Sequence, residues 1–110
     1  MRLLTEEIRQ QFRKYPLYSQ ESKGINSTVI VKYFNPVGSG TWLITEAEKQ
    51  ADGDWLLFGY CHIFCWEWGY VSLKELQALR LPFGLTVERD LYITDNATVK
   101  PTNKKSRGKT

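Results

Sequence analysis

The chain has few of the residues that metal sites and nucleophilic catalysts use. Its 110 residues include two cysteines, Cys61 and Cys65, and one histidine, His62. A structural zinc site uses four ligands, which this cluster reaches only if Glu67 joins it. Free cysteine is among the most buried residue types, and His62 and Cys65 lie on opposite faces of an extended strand, unlike a base and its nucleophile. We therefore predict two buried thiols, no metal ion, no cofactor and no catalytic residue.

The chain also lacks any apolar run of the roughly 18 to 20 residues that cross a membrane. Residues 1–12 are charged and periodic, unlike a secretory signal peptide. We therefore expect a soluble, cytoplasmic protein, in which Cys61 and Cys65 stay reduced. The sequence contains no internal repeat, and its length fits one domain with a modest core.

The chain has no excess of positive charge before its C-terminal end. The formal net charge of +3 comes from 15 Lys and Arg against 12 Asp and Glu. Residues 1–99 hold ten of the cations and all twelve of the anions, which gives them a net charge of −2. The remaining cations are Lys100, Lys104, Lys105, Arg107 and Lys109.

The basic C-terminal end is predicted to be a flexible tail. No apolar residue follows Val99, so we expect a folded domain of residues 1–96 and a basic tail of residues 97–110. Cations on a flexible arm contact phosphates irrespective of base sequence, which makes weak nucleic-acid binding through these five side chains one hypothesis. A solvated, solubilising end is the alternative.

The aromatic residues do not by themselves predict a nucleic-acid platform. The chain has four tryptophans and six tyrosines, and nucleic-acid bases do stack on such rings. Platforms of this kind are flanked by Lys and Arg, whereas the aromatic strands carry almost none apart from Lys32. We expect most of these rings in the core.

Capping residues and periodicity predict two helices and about five strands. Thr5 is a candidate N-cap for a helix that ends near Lys14, and Ser72 with Glu75 forms a capping box for a helix over Leu73 to Arg80. Alternating apolar and β-branched residues predict strands at 28–34, 41–48, 55–61, 68–71 and 85–93. The fold class is therefore α+β: a single domain with an antiparallel sheet of about five strands, an N-terminal helix and one helix inserted before the last strand.

The bend between the third and fourth strands has an unusual composition. It falls between His62 and Glu67, where Ile63, Phe64 and Cys65 are poor turn formers. Either the bend is buried or its tip is an exposed apolar knob, and an exposed apolar patch typically marks a contact surface. We therefore predict a protein-binding site at Phe64, Trp66 and Trp68, with both tryptophans on one face.

The predicted last strand carries three consecutive charged residues, Glu88, Arg89 and Asp90. Arg89 falls in the apolar row of this strand, and because an unpaired inward charge is costly we expect it to pair with an acidic residue such as Glu67. One alternative is a polar patch of Glu67, Arg89 and Asp90. Another is an enzyme that uses Glu67, Glu88 or Asp90 for acid and base chemistry in a concave pocket.

Seven segments occur in a specific order between Leu3 and Ile93. They are Leu3–Thr5, Pro16–Gln20, Val29–Pro36, Thr41–Trp42, Phe58–Tyr60, Gly69–Leu76 and Gly84–Tyr92. This ordered set resembles a small bacterial domain-of-unknown-function family, whose members are encoded on plasmids, integrative elements and phages. The stretch Cys61–Trp66 and the basic tail depart from the family pattern. The resemblance implies no enzymatic activity and no cofactor.

The leading hypothesis for function joins the resemblance to the aromatic bend. Genes on such elements often encode proteins that bind host or plasmid machinery, including defence systems. We therefore expect a non-enzymatic accessory protein that contacts a protein partner, with no membrane association.

Overall fold

A computed structural model describes residues 2–93 and 97–100 of the chain. It contains two α-helices and one five-stranded antiparallel sheet, which confirms the predicted α+β class. The sheet order is β4-β3-β2-β1-β5. The elements are α1 (Glu6–Lys14), β1 (Val31–Phe34), β2 (Thr41–Lys49), β3 (Trp55–His62), β4 (Trp66–Ser72), α2 (Leu73–Ala78) and β5 (Glu88–Arg89), with 3-10 turns at Glu21–Asn26 and Pro82–Gly84.

Both helices begin at the predicted caps. The Thr5 side chain accepts a hydrogen bond from the backbone N–H of Ile8 at the start of α1. At the start of α2, Ser72 and Glu75 form the complete capping box. The helix predicted to reach Arg80 ends at Ala78, because the backbone of Leu79 is extended, with φ of −61° and ψ of 131°. The Arg80 guanidinium donates to the Ala78 carbonyl at 3.1 Å.

The main core lies between the helices and one face of the sheet, which we call the helix-covered face; the opposite face is the outer face. α1 contributes Ile8 and Phe12, and α2 contributes Leu73 and Leu76, all of them buried. The Phe12 ring lies 5.2 Å from the ring of Trp55 on β3. In the described part of the chain, every helix is too short or too polar to span a bilayer.

The predicted last strand is much shorter than its alternating pattern indicated. Only Glu88 and Arg89 pair with β1. The carboxylate of Asp90 accepts a hydrogen bond from the backbone N–H of Tyr92, which turns the chain away, and Leu91 is exposed. The strand predicted from residue 28 likewise begins only at Val31.

The folded part of the chain extends beyond Asn96, where the sequence placed the start of the tail. Thr98 forms a β-bridge with Thr28, and the backbone N–H of Val99 donates to the Ser27 carbonyl at 3.1 Å. The Val99 side chain is completely buried and Lys100 is exposed. The other basic residues of the predicted tail, Lys104, Lys105, Arg107 and Lys109, lie outside the described residues.

Candidate functional site

Five aromatic side chains from β3 and β4 lie side by side on the outer face of the sheet. Side chains alternate between the two faces of a strand, and the register pairs Tyr60 with Trp68 and Phe58 with Tyr70. The rings of Phe58 and Trp68 are stacked at 5.7 Å, and those of Tyr60 and Trp66 at 5.1 Å. We call this set the aromatic face: Phe58, Tyr60, Trp66, Trp68 and Tyr70.

The aromatic face is covered at one end and open at the other. Tyr60 and Trp66 pack against the small buried cluster of Val29, Leu43 and Val99. Trp68 and Tyr70, in contrast, are 37% and 53% exposed. The covered rings therefore stabilise the sheet, and the exposed rings are available to a partner.

At its open end the aromatic face forms one wall of a cleft of about 230 Å³. The connector between α1 and β1 forms the other wall. We call this the aromatic cleft, and the lining residues that matter below are Tyr18, Glu21, Glu46, Phe58, Trp68 and Tyr70.

Glu46 holds the connector in place from the floor of the aromatic cleft. This side chain is 3% exposed, and its two carboxylate oxygens accept hydrogen bonds from the backbone N–H groups of Tyr18, at 2.8 Å, and Gln20, at 3.0 Å. Gln20 is also buried, and its side-chain amide bonds the backbone of Thr28 and Thr45. Buried polar groups that are satisfied in this way fix one loop geometry.

A β-bulge in β2 directs Glu46 to the outer face. The register of β2 against β3 shifts between Ile44 and Glu46, so that Glu46 lies opposite Phe58. At this point Gly59 approaches the β2 backbone so closely that a Cβ there would lie 1.9 Å from the Leu43 carbonyl oxygen. A bulge inserts one extra residue and changes which face the following side chains occupy.

The charged side chains lining the aromatic cleft are both acidic. Glu21 and Glu46 line it, and no Lys or Arg is among its described lining residues. A side-chain hydrogen bond with Tyr18 raises the pKa of Tyr70, and burial and the negative charges of Glu46 and Glu21 raise it further. Tyr18 itself has a φ of 73°, a conformation that costs free energy in a residue other than glycine.

The comparisons with known proteins place this chain in a family. A family model described as "Protein of unknown function (DUF2958)" matches residues 3–107. The chain belongs to this family. No curated protein and no solved structure matches it. The expectation of an unknown-function family is thereby confirmed, and the DUF2958 match includes every residue of the aromatic cleft. The match continues past Ile93 to residue 107, so the expectation that the basic tail lies outside the family pattern is wrong.

The three predicted protein-binding residues occupy different positions in this DUF2958 domain. Trp66 and Trp68 do lie on one face, as predicted, but Trp66 packs in the covered part of the aromatic face and Trp68 lines the cleft. Phe64 lies at the tip of the turn and is 95% exposed. The bend is therefore the exposed apolar knob, the second of the two predicted alternatives.

The predicted polar patch of Glu67, Arg89 and Asp90 is wrong, because its members lie at opposite edges of the sheet. Glu67 belongs to edge strand β4, and Arg89 to edge strand β5. Arg89 points to the helix-covered face as expected, but its Nε donates to the backbone carbonyl of Arg2 at 3.1 Å. Beside it, the Tyr33 hydroxyl donates to the Leu3 carbonyl at 2.6 Å. Arg89 thus secures the N-terminal segment instead of pairing with Glu67.

Of the three carboxylates considered for acid and base chemistry, Glu88 and Asp90 share one groove and Glu67 lies apart from them. Glu88 and Asp90 line a second groove of about 360 Å³ at the β5 edge, far from Glu67 across the sheet. Asp90 pairs with Lys32 at 3.7 Å and also accepts the turn hydrogen bond from Tyr92. These contacts give Asp90 a structural role in ending β5.

The two cysteines lie in different environments, and the prediction that both are buried is wrong for Cys65. Cys65 is exposed in the turn, whereas Cys61 is partly buried against the core and its thiol donates to the Gly59 carbonyl. Burial, with a smaller effect of Glu67, raises the pKa of Cys61 to about 12. A thiol with so high a pKa is a poor nucleophile and metal ligand. Among the described residues, no group of three His, Cys, Asp or Glu side chains is placed to hold a metal ion.

The sequence interpretation missed Glu46 and Gln20, which build the cleft. The available signal was Glu46, a charged residue between Thr45 and Ala47 of the predicted strand 41–48, since a charge that is buried within a sheet requires partners. The partners themselves were not predictable, because they lie 26 and 28 residues away in the chain.

Proposed function

We propose that this chain is a non-enzymatic binding module that contacts a protein partner through the aromatic cleft and the adjoining edge of β4. The observation that carries this proposal is that exposed aromatic rings lie on an unpaired edge strand. Within the described residues, β4 pairs with β3 and has no strand on its other side.

An edge strand with these properties suits the addition of an extended peptide. Its free N–H and C=O groups offer main-chain hydrogen bonds, and alternate side chains of an added strand reach the two faces of the sheet. β4 is seven residues long and contains no proline. Its outer side chains include Trp68 and Tyr70, and Trp and Tyr are enriched among the residues that dominate binding energy in protein interfaces.

The turn at the end of β4 extends this surface. Phe64 is 95% exposed and Ile63 is 43% exposed. A partner strand that runs along β4 passes this tip and gains apolar contact there, because exposed apolar groups lose contact with water on binding.

The setting expected from the family resemblance suggests where the partner comes from. A protein encoded on a plasmid, integrative element or phage meets the machinery of its host and of its element, including defence systems. We propose that the partner is a component of that machinery and that this chain is an accessory protein of the element.

Affinity capture with matched variants tests the proposed function. The wild-type chain, Trp68→Ala and Phe83→Ala are compared as baits in lysate of the native host, with capture measured by quantitative mass spectrometry. Phe83 is a suitable control because it is 91% exposed and lies outside the cleft. We expect a partner that is retained by Phe83→Ala and reduced at least about tenfold by Trp68→Ala, since loss of a central aromatic contact costs about 2 kcal/mol or more.

Hydrogen exchange on the purified complex then tests the mode of binding. The backbone amides of Trp66–Ser72 that point away from β3 should become protected when the partner binds, because the added strand supplies hydrogen-bond acceptors to the β4 edge. A partner that binds Trp68→Ala as tightly as the wild type, or that leaves β4 exchange unchanged, would contradict the proposal.

A second candidate function is weak, sequence-independent binding of nucleic acid by the basic C-terminal end. The observation that favours it is the charge distribution, since five of the 15 cations follow Val99 and residues 1–99 carry a net charge of −2. Lys100, the one of the five that lies among the described residues, is exposed.

A further inference from the structure

The aromatic cleft combines two features that favour the same kind of ligand. Its rings, from Tyr18, Phe58, Trp68 and Tyr70, present π-systems whose faces are negative. Its charged lining residues, Glu21 and Glu46, are both carboxylates. Both features attract a cation.

We propose that the aromatic cleft binds the Lys or Arg side chain of a protein partner, an inference that rests on the proposed function and specifies the chemistry of that partner. The cation lies against the exposed face of Trp68, and its charge is balanced by Glu21 and Glu46. The partner segment then carries a basic residue at a position that faces the outer side of β4.

The buried carboxylate of Glu46 distinguishes a cation from an apolar occupant. Glu46 is 3% exposed and already accepts hydrogen bonds from two backbone N–H groups. An apolar group in the cleft would remove the remaining water from this charge without replacing its interactions, which is unfavourable. An ammonium or guanidinium group supplies positive charge as it displaces that water.

The dimensions of the cleft fit one side chain. Its volume of about 230 Å³ falls below the roughly 300 to 1,000 Å³ of pockets that bind small molecules and cofactors. Trp68 and Tyr70 lie two residues apart on β4, so they face the outer-face side chains of a strand added at that edge. A single long basic side chain from such a strand reaches the cleft.

The chain's own basic end is the competing source of a cation. The backbone N–H of Val99 bonds to the carbonyl of Ser27, and Ser27 lines the cleft, so the chain leaves the described residues near this site. The test therefore uses both the full chain and a chain that ends at Lys100, which keeps the buried Val99.

Titration with single amino-acid derivatives tests the proposal without a known partner. The probes are Nα-acetyl-lysine amide and Nα-acetyl-arginine amide, which keep their charged side chains, and the uncharged Nα-acetyl-norleucine amide. Binding is followed by NMR at the indole N–H of Trp68 and the backbone N–H of Tyr18. We expect the two cations to bind the full chain at least about tenfold more tightly than norleucine amide. Added salt should weaken the binding of the cations and leave that of norleucine amide unchanged.

Two charge variants identify the site. Glu21→Gln should weaken cation binding severalfold, and Glu7→Gln, which removes the same charge from an exposed position on α1, should have no effect. Equal binding of norleucine amide, or cation-induced shifts that avoid Trp68 and Tyr18, would overturn the proposal. Cation binding that appears only in the chain ending at Lys100 would also overturn it, because the cleft would then serve the chain's own basic end.

The two proposals fail in distinguishable ways. In one case Trp68→Ala loses the partner, but the lysine and norleucine derivatives bind equally. That result would support the proposed function and contradict the inference that the partner's contact is a basic side chain. Specific cation binding in a chain whose captured partner ignores Trp68 would show a cation-selective cleft that this partner does not use. That result would remove the proposed function and, with it, the assignment of the cation to the partner.

Discussion

Glu46 accepts a hydrogen bond from the backbone N–H of Tyr18, 28 residues earlier in the chain, at 2.8 Å. This contact and the matching one to Gln20 are what place the connector beside the aromatic face. The aromatic cleft therefore depends on the buried carboxylate of Glu46 as well as on its aromatic rings.

Replacing Glu46 by Ala should destabilise the fold and open the cleft. The backbone N–H groups of Tyr18 and Gln20 lose their acceptors, and each unsatisfied buried donor costs about 1 to 3 kcal/mol. Urea denaturation should show a loss of about 2 to 6 kcal/mol in the free energy of unfolding, and amide exchange should accelerate at Tyr18 and Gln20. Glu48→Ala, two residues along the same strand and exposed, is the control and should change stability by less than about 0.5 kcal/mol. Equal effects of the two variants would contradict this role for Glu46.

Gly59 and Gly69 lie opposite each other on β3 and β4 but should differ sharply in their tolerance of a methyl group. A Cβ at Gly59 would lie 1.9 Å from the Leu43 carbonyl oxygen, whereas a Cβ at Gly69 would meet no atom within 4 Å. Gly59→Ala should therefore cost about 3 kcal/mol or prevent folding, because the backbone of β2 must move. Gly69→Ala should be close to neutral. Thermal unfolding of the two variants checks this, and a stable Gly59→Ala protein would show that the bulge is adaptable.

Asp54 should give the domain a stability that decreases in acid. Partial burial alone would raise the pKa of its carboxyl, but hydrogen bonds from the Ser72 hydroxyl and from the backbone N–H groups of Lys74 and Trp55 outweigh it and lower the pKa overall. A carboxyl whose folded pKa is depressed stabilises the protein above its unfolded pKa of about 3.9, and this contribution is lost as the pH falls through the folded pKa.

The stability difference between the wild type and Asp54→Asn should accordingly be present at neutral pH and shrink below about pH 4. Urea midpoints measured across this range test it. Asp52→Asn is the control, because it removes a neighbouring charge and keeps a side-chain oxygen to accept the hydrogen bond from the backbone N–H of Asp54. A difference that stays constant in acid would show that the Asp54 charge is not involved.

Shortening the chain should separate the structural and basic parts of its C-terminal end. A chain that ends at Asn96 loses the buried Val99 and its bond to Ser27, and should be destabilised by about 1 to 3 kcal/mol. A chain that ends at Lys100 should keep its stability and lose any affinity for nucleic acid, which gel shifts at two salt concentrations detect. Unchanged nucleic-acid affinity after removal of residues 101–110 would rule out the basic end as the binding element.

The features that were predictable from sequence depend on residues close together in the chain. The N-cap Thr5, the capping box of Ser72 and Glu75 and the hairpin of β3 and β4 involve partners within a few positions, so their patterns are visible in any short window. The exposed apolar turn at Phe64 follows from the same local composition.

The features that were not predictable depend on strand order and on contacts between distant segments. Alternation indicated that Arg89 faces inward, but only the position of β5 beside β1 separates it from Glu67 and brings it to the Arg2 carbonyl. The sequence placed Thr98 and Val99 in the tail. In the structure Thr98 pairs with Thr28, and the backbone N–H of Val99 bonds to the Ser27 carbonyl.

The sequence by itself determined the class of fold, its helix starts and the aromatic composition of β3 and β4, because periodicity and capping are local properties of the backbone. Only the tertiary structure decided which aromatic rings are covered, which carboxylate supports the cleft and which strand is left as an edge. Those outcomes depend on a one-residue bulge and on the order of the strands, and both are set by packing between residues far apart in the chain.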